Sequence, residues 1–378
     1  MRIVLNGVET KNKGAELMFY AILQEIERRF PEAEVYIPFD AVKEGLNYIH
    51  TSLNLKYKPY SWLLRLKCRG ILRRLGVPAK YCDFDTYPIK DTDYFIDASG
   101  FTFSDQWKLK DTFIEHWQLL LSQMKKSGAK VIFLPQAFGP IELPNTKLGT
   151  KYVNQYADLI IPRDNVSLKY LQNAGVNSQK IKCYPDFTNL VEGTMPKSYA
   201  HLVDGICIIP NIRMIDRGII ELDKYIHIIE VITKLCKNTG RPVYILNHEG
   251  PEDANLGKMC AKHINDDIEV VTGLNALEVK GLIATSYLCI SSRFHGVASA
   301  LNSGVPCLAT SWSHKYAELF QDYSMTDCIL KLDDLNAIEK RISELLSSDI
   351  NTEIRATLAE KLPDIKRRSE KMWDAVWE

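Results

Sequence analysis

Ser291-Ser292-Arg293-Phe294-His295-Gly296 places a guanidinium, an imidazole and two hydroxyls directly after the apolar run Tyr287 to Ile290. That order predicts a strand-to-helix turn, with the helix running on to Ser303-Gly304. Backbone N–H groups at a helix start, together with Arg293 and His295, would hold an anionic group and exchange a proton with it. The structural alternative pairs Arg293 with a carboxylate and packs His295 inside its domain. Other polar turns also follow apolar runs. In the first half these are Asn12-Lys13-Gly14-Ala15-Glu16, Ser99-Gly100-Phe101, Gln136-Ala137-Phe138-Gly139-Pro140 and Pro162-Arg163-Asp164. In the second half they are Asn211-Ile212-Arg213, Asn247-His248-Glu249-Gly250 and Thr310-Ser311-Trp312-Ser313-His314-Lys315. Arg163, Arg213, Arg293 and Lys315 thus fall on strand-end loops, and a doubly anionic small donor would use two or three of them. Each also has a structural use: Asp164 as a helix cap beside Arg163, Arg213 paired with Asp216, His248-Glu249 as a loop pair, Lys315 at a helix start.

The elements that would position these turns are short apolar runs alternating with amphipathic stretches, the pattern of parallel sheets covered by helices. Strands are expected at Ile3 to Asn6, Val35 to Pro38, Tyr94 to Asp97, Val131 to Leu134, Leu159 to Ile161 and Ile181 to Tyr184. Helices are expected at roughly 14–30, 107–127, 146–157 and 165–174, the last stopped by Gly175. Turn formers at 191–198 mark a linker, after which strands recur at Ile206 to Pro210, Val243 to Asn247, Glu269 to Val271, Tyr287 to Ser291 and Cys307 to Thr310. The reading is α/β: a Rossmann-like domain over 1–192, a second over 200–335, and C-terminal helices over 336–378 packing across the junction. Facing domains of this kind leave a cleft between their strand C-terminal edges.

Lys plus Arg and Asp plus Glu number 47 each in 378 residues, so no global field attracts nucleic acid. Nine cysteines with no C-x-x-C pair read as buried, reduced thiols of a cytoplasmic protein. Met1 to Gly7 is too short for a signal peptide's apolar region, and no apolar run is long enough for a membrane span. One asymmetry is local: no Asp or Glu occurs from Gly45 to Cys82, where Lys56, Lys58, Arg65, Lys67, Arg69, Arg73, Arg74 and Lys80 all occur. Residues 56–80 are therefore either a peripheral contact with an anionic membrane face or lipid-linked diphosphate, or an ordinary solvated helix. No G-x-x-x-x-G-K-[ST], no G-x-G-x-x-G after the first strand, no H-E-x-x-H and no G-x-S-x-G is present. A metal-free site is the expectation.

In order along the chain, Asn12 to Glu16, Ser99-Gly100, Gln136 to Pro140, Ala157 to Ser167, Ser292 to His295 and Pro306 to Lys315 resemble the motifs of the polysaccharide pyruvyl transferase family. The resemblance implies a fold similar to the GT-B glycosyltransferases and transfer of pyruvate from phosphoenolpyruvate, as co-substrate, onto a sugar as a cyclic ketal. It implies no cofactor and a sugar acceptor, with lipid-linked, nucleotide-linked and polymeric acceptors all open. It puts Arg293 and His295 at the donor, where the residues themselves suggest an anion and proton site. His295 is then the candidate acid for C3 of phosphoenolpyruvate, with Arg163, Arg213, Ser292 and Lys315 as donor ligands. Glu16 is the candidate base or hydroxyl anchor, with Asn12, Gly14, Gly100 and Gln136 on the acceptor side. Ala15 and Ser99 depart from the family pattern, where an aspartate and a first glycine are common. The competing readings are a GT-B-type glycosyltransferase using a nucleotide sugar, with Glu318 for the ribose, and a non-catalytic protein that kept the fold.

Overall fold

The computed structural model describes residues 1–37, 49, 51–57, 74–75, 90–264, 268–310 and 314–378. The chain divides into two compact units. The first comprises Met1–Lys11, Met18–Thr188 and Ser369–Glu378; the second comprises Asn12–Leu17 and Asn189–Arg368.

In the first unit six described strands form one sheet: β1 (Arg2–Asn6), β2 (Glu34–Ile37), β3 (Asn54–Tyr57), β4 (Tyr94–Asp97), β5 (Lys130–Gln136) and β6 (Leu159–Pro162). Every pairing is parallel, in the order β3-β2-β1-β4-β5-β6. The order reverses direction at β1, which opens a crevice at the carboxyl ends of β1 and β4, where α/β sheets bind ligands. From Val131 to Gln136, β5 is buried at every position, as a strand covered on both faces requires. The helices are α1 (Lys13–Arg29), α2 (Asp111–Lys126), α3 (Pro144–Tyr156) and α4 (Asn165–Asn173). On α2, Ile114, Trp117, Leu120, Leu121 and Met124 recur at helical spacing and are buried. Trp117 meets Phe103 edge to face, with ring centroids 5.5 Å apart.

The second unit carries β7 (Ile206–Ile209), β8 (Val243–Leu246), β9 (Glu269–Val271), β10 (Leu288–Ser291) and β11 (Cys307–Ala309), all parallel, in the order β11-β10-β7-β8-β9. Its helices are α5 (Arg213–Asp216), α6 (Leu222–Lys237), α7 (Gly250–Ile264), α8 (Ala276–Ala284), α9 (Phe294–Asn302), α10 (His314–Asp322) and α11 (Leu335–Leu346). A last helix, α12 (Ser348–Trp377), contributes its residues through Arg368 to this unit and its final turns to the first. Both sheets are therefore Rossmann-like, each with its first strand central and the direction reversing beside it. Cys307, Cys289, Cys207 and Tyr244 stand in register across four strands, and burial holds the Cys207 thiol well above its ordinary value. All four are core side chains, and the Cys207 thiol is held protonated rather than poised as a nucleophile.

Two elements differ from the sequence reading. The strand expected at Ile181 to Tyr184 is reduced to a single bridge between Ile181 and Ile160. Tyr184 N donates to Pro162 O at 3.3 Å, but Pro162 has no N–H to return, so no ladder develops. Conversely β3, absent from that reading, pairs at the sheet edge, where Lys56 is engaged by Glu34. The basic stretch 56–80 is described only at Lys56, Tyr57, Arg74 and Leu75; its expected amphipathic helix lies outside the described residues. Among the described residues no helix is long and apolar enough to cross a membrane.

Candidate active site

The second unit's crevice lies at the carboxyl ends of β7, β8 and β10, and three following loops supply its polar residues. Arg293 is the N-cap of α9, in extended backbone between strand and helix. It is 9% exposed and does not stand open to an anion. Its Nε donates to Asp253 Oδ2 at 2.8 Å and its Nη2 to Asp253 Oδ1 at 2.6 Å, while Nη1 donates to Glu249. Asp253, in the first turn of α7, also accepts from Ile212 N at 3.0 Å. Burial works against both charges, drawing Arg293 down to about 10 and Asp253 up to about 7. The bidentate fork opposes that effect, each ion replacing the other's water.

His295 follows one residue into α9 and is half-buried. Its ring lies against the backbone of Gly14, where a Cβ would fall 2.0 Å from His295 Nδ1. Only glycine leaves room for the imidazole there. The Asn12–Leu17 segment is held by Asn12, whose Oδ1 accepts from Gly14 N at 2.9 Å and Ala15 N at 3.2 Å, capping α1. Asn12 also bridges to Glu249, the carboxylate on Arg293. Lys13 Nζ donates to Glu16 Oε2 at 2.6 Å, and Glu16 is wholly buried. The candidate base is therefore an ion-paired interior carboxylate.

His248 comes just after β8 and is 3% exposed. Burial is the main cause that holds it well below its ordinary value, and Arg293, His295 and Lys13 push the same way. A neutral imidazole thus sits beside the cations Arg293 and Lys13. Its Nδ1 and the Oδ1 of Asn247 are buried without a hydrogen-bond partner among the described residues.

Ser292 is used internally: its hydroxyl bonds Tyr225 OH at 2.6 Å and Thr310 Oγ1, and its carbonyl accepts from Asn211 Nδ2 at 3.0 Å and Tyr316 OH at 2.9 Å. This network fixes the turn that aims Arg293 and His295. Lys315 Nζ lies 5.2 Å from the Phe294 ring centroid, so α10 brings it to the start of α9. Arg213 is paired with Asp216 at 2.7 Å and with Glu252 at 3.5 Å. Arg163 belongs to the first unit, 7% exposed, with Nη1 3.7 Å from Asp186 Oδ2. Gln136 and Gly100 lie at that unit's own crevice, where Gln136 Nε2 donates to Asp97 Oδ2 at 3.1 Å and Gly100 O accepts from Ala137 N at 3.0 Å. Asp97 also accepts from Asn6 and Ser99, and burial raises its carboxyl.

The structure therefore gathers Asn12, Gly14, Glu16, Ser292, Arg293 and His295 around one strand-end crevice. Sequence reasoning missed Asp253, gave Lys13 no role and read His248-Glu249 only as a loop pair. His248-Glu249 carried a usable signal, since it follows β8 as Arg293 follows β10. Among the described residues no group of three or more His, Cys, Asp or Glu side chains is arranged to hold a metal ion.

A family model described as polysaccharide pyruvyl transferase matches residues 12–314, from the Asn12 cap to the start of α10. The amylovoran biosynthesis protein AmsJ of Erwinia amylovora is 22% identical over 320 residues, covering 77% of this chain and 75% of its own. Among solved structures, trehalose-6-phosphate synthase OtsA superposes with a TM-score of 0.61 at 10% identity, covering 100% of this chain and 99% of its own. WaaG, a glycosyltransferase involved in lipopolysaccharide biosynthesis, gives 0.54 at 11% identity, covering 99% of each chain. At such identities these likenesses concern the fold, which is that of the GT-B glycosyltransferases.

Proposed function

The chain belongs to the polysaccharide pyruvyl transferase family, and we propose that it moves pyruvate from phosphoenolpyruvate onto two hydroxyls of a saccharide as a cyclic ketal. A transferase of polysaccharide biosynthesis follows from the family and from the AmsJ relative; the donor and the ketal are the proposal. What supports them is His295 lying on the Gly14 backbone at the same strand-end crevice as Arg293, Lys13 and His248. In the proposed reaction His295 gives a proton to C3 of phosphoenolpyruvate as a sugar hydroxyl attacks C2 and releases its own proton to water, from which His295 is reprotonated. Phosphate then leaves C2 with its bonding electrons. A second hydroxyl closes on C2, and its proton accompanies the phosphate. Arg293, held by Asp253, presents cationic charge where phosphate charge accumulates, and Lys315 approaches the same helix start. Arg163, Arg213, Gly100 and Gln136 remain candidate donor and acceptor contacts in this reading. No step is routed through a metal, and turnover is expected to persist in excess chelator.

The test is phosphate release from phosphoenolpyruvate across free and lipid-linked saccharides, with mass spectrometry of the acceptor and His295→Ala as control. Release with a pyruvate ketal on one saccharide, lost in His295→Ala, is expected. Undiminished release by that variant removes His295 from the mechanism. Consumption of a nucleotide sugar instead of phosphoenolpyruvate would replace the reading with glycosyl transfer.

A further inference from the structure

Arg293 is already engaged by two carboxylates, so an anion approaching it finds the guanidinium occupied. The two carboxylates are not equivalent. Asp253 is bidentate, 1% exposed, and anchored further by Ile212 N. Glu249 reaches Arg293 through Nη1 alone, and its side chain keeps 17% exposure. Glu249 lies on the short loop between β8 and α7, whereas Asp253 is fixed inside the helix. One partner is thus built in and the other is exchangeable.

We propose that Glu249 is a specificity-determining residue that occupies the anion position on Arg293 in the empty site and is displaced by the donor. The inference rests on the pyruvyl-transfer reading only for the identity of that donor. A weakly charged or monoanionic solute gains too little from Arg293 to displace a tethered carboxylate. A donor carrying both a phosphate and a carboxylate brings a second charged group that Glu249 cannot match, so Glu249 selects for multiply charged donors. Its neutralisation should accordingly tighten anion binding, the opposite of what loss of a merely structural ion pair would do. The backbone bridge between Glu249 and Asn12 is independent of the side chain and stays in place.

Isothermal titration calorimetry of the full chain in low chloride, with phosphoenolpyruvate and inorganic phosphate as separate probes, tests this. Glu249→Gln keeps length and hydrogen-bonding capacity and removes the charge. It is expected to bind both probes about tenfold more tightly than the unaltered protein, with the larger gain for inorganic phosphate, so that discrimination narrows. Unchanged or weaker binding of both by a variant with native circular dichroism overturns the inference. If phosphate binding tightens while neither protein binds phosphoenolpyruvate, the role of Glu249 stands and the pyruvyl-transfer reading falls. No binding of either probe to either protein overturns both.

Discussion

Gly14→Ala isolates the contact between the Asn12–Leu17 segment and His295. Gly14 is the second residue of α1 and has no positive φ, so alanine there would ordinarily stabilise the helix by up to about 1 kcal/mol. Here the added Cβ falls 2.0 Å from His295 Nδ1, 2.6 Å from Cγ and 2.8 Å from Cε1. Ordinary contact is about 3.5 to 4.0 Å, so the imidazole must retreat by roughly 1.5 Å. Overpacking of this size costs about 1 to 3 kcal/mol, partly offset by the helix preference, so the protein should stay folded. A reacting group displaced by about 1 Å loses on the order of a hundredfold in rate. Phosphate release should therefore fall about a hundredfold, with a net destabilisation of up to about 2 kcal/mol in urea unfolding. The stability penalty should also vanish in the His295→Ala background, because the clashing ring is gone. Wild-type turnover in Gly14→Ala, or a penalty of equal size with and without His295, would refute the reasoning.

Asp253→Leu removes the bidentate partner and leaves Arg293 buried with Glu249 alone; a loss of about 1.5 to 3 kcal/mol in urea unfolding is expected, and a shift below about 0.5 kcal/mol would contradict the pairing. Ser292→Ala strips one partner from both Tyr225 OH and Thr310 Oγ1, and should cost about 1 to 3 kcal/mol by the same assay, with an unmoved midpoint as the contrary result. His248 is neutral in the folded chain well below 6.5, whereas unfolded it takes up a proton near 6.5. The unfolded state then binds the extra proton, so stability falls as pH drops below about 6.5, by up to about 1.4 kcal/mol per pH unit from this group. Urea midpoints from pH 7.5 down to 5 should be flatter in His248→Leu, and parallel curves would show that His248 is not the titrating group.

Much of the fold is legible in the sequence because burial imposes period. The spacing of Ile114, Trp117, Leu121 and Met124 fixes α2, and the uninterrupted apolar run of β5 fixes a strand covered on both sides. β3 escapes because four alternating residues at a sheet edge carry too little hydrophobic signal. Within the site, the turn at Arg293 and His295 is legible from residue types following a strand. Its partners are not, because Asp253 and Glu249 reach Arg293 across the sheet from a separate strand-to-helix unit, a pairing set by strand order rather than local spacing. Nor does the sequence say that Gly14 is needed for His295. A glycine beside a helix start has many causes, and only the ring packed on it selects one.

The placement of Asn12–Leu17 with the second unit has a kinetic consequence. These residues are made nearly three hundred positions before the imidazole they receive. Closing so long an intervening loop is slow relative to pairing within either sheet, because the chain entropy is lost before the contact rewards it. The second unit's sheet can therefore acquire its strand order before the crevice around Arg293 and His295 is complete, and maturation of the crevice is a late event separable from sheet formation. A fragment starting at Asn189 would lack Lys13, Gly14 and Glu16 however well its five strands assembled, and its His295 would have no Gly14 to pack on unless the N-terminal segment were supplied in trans.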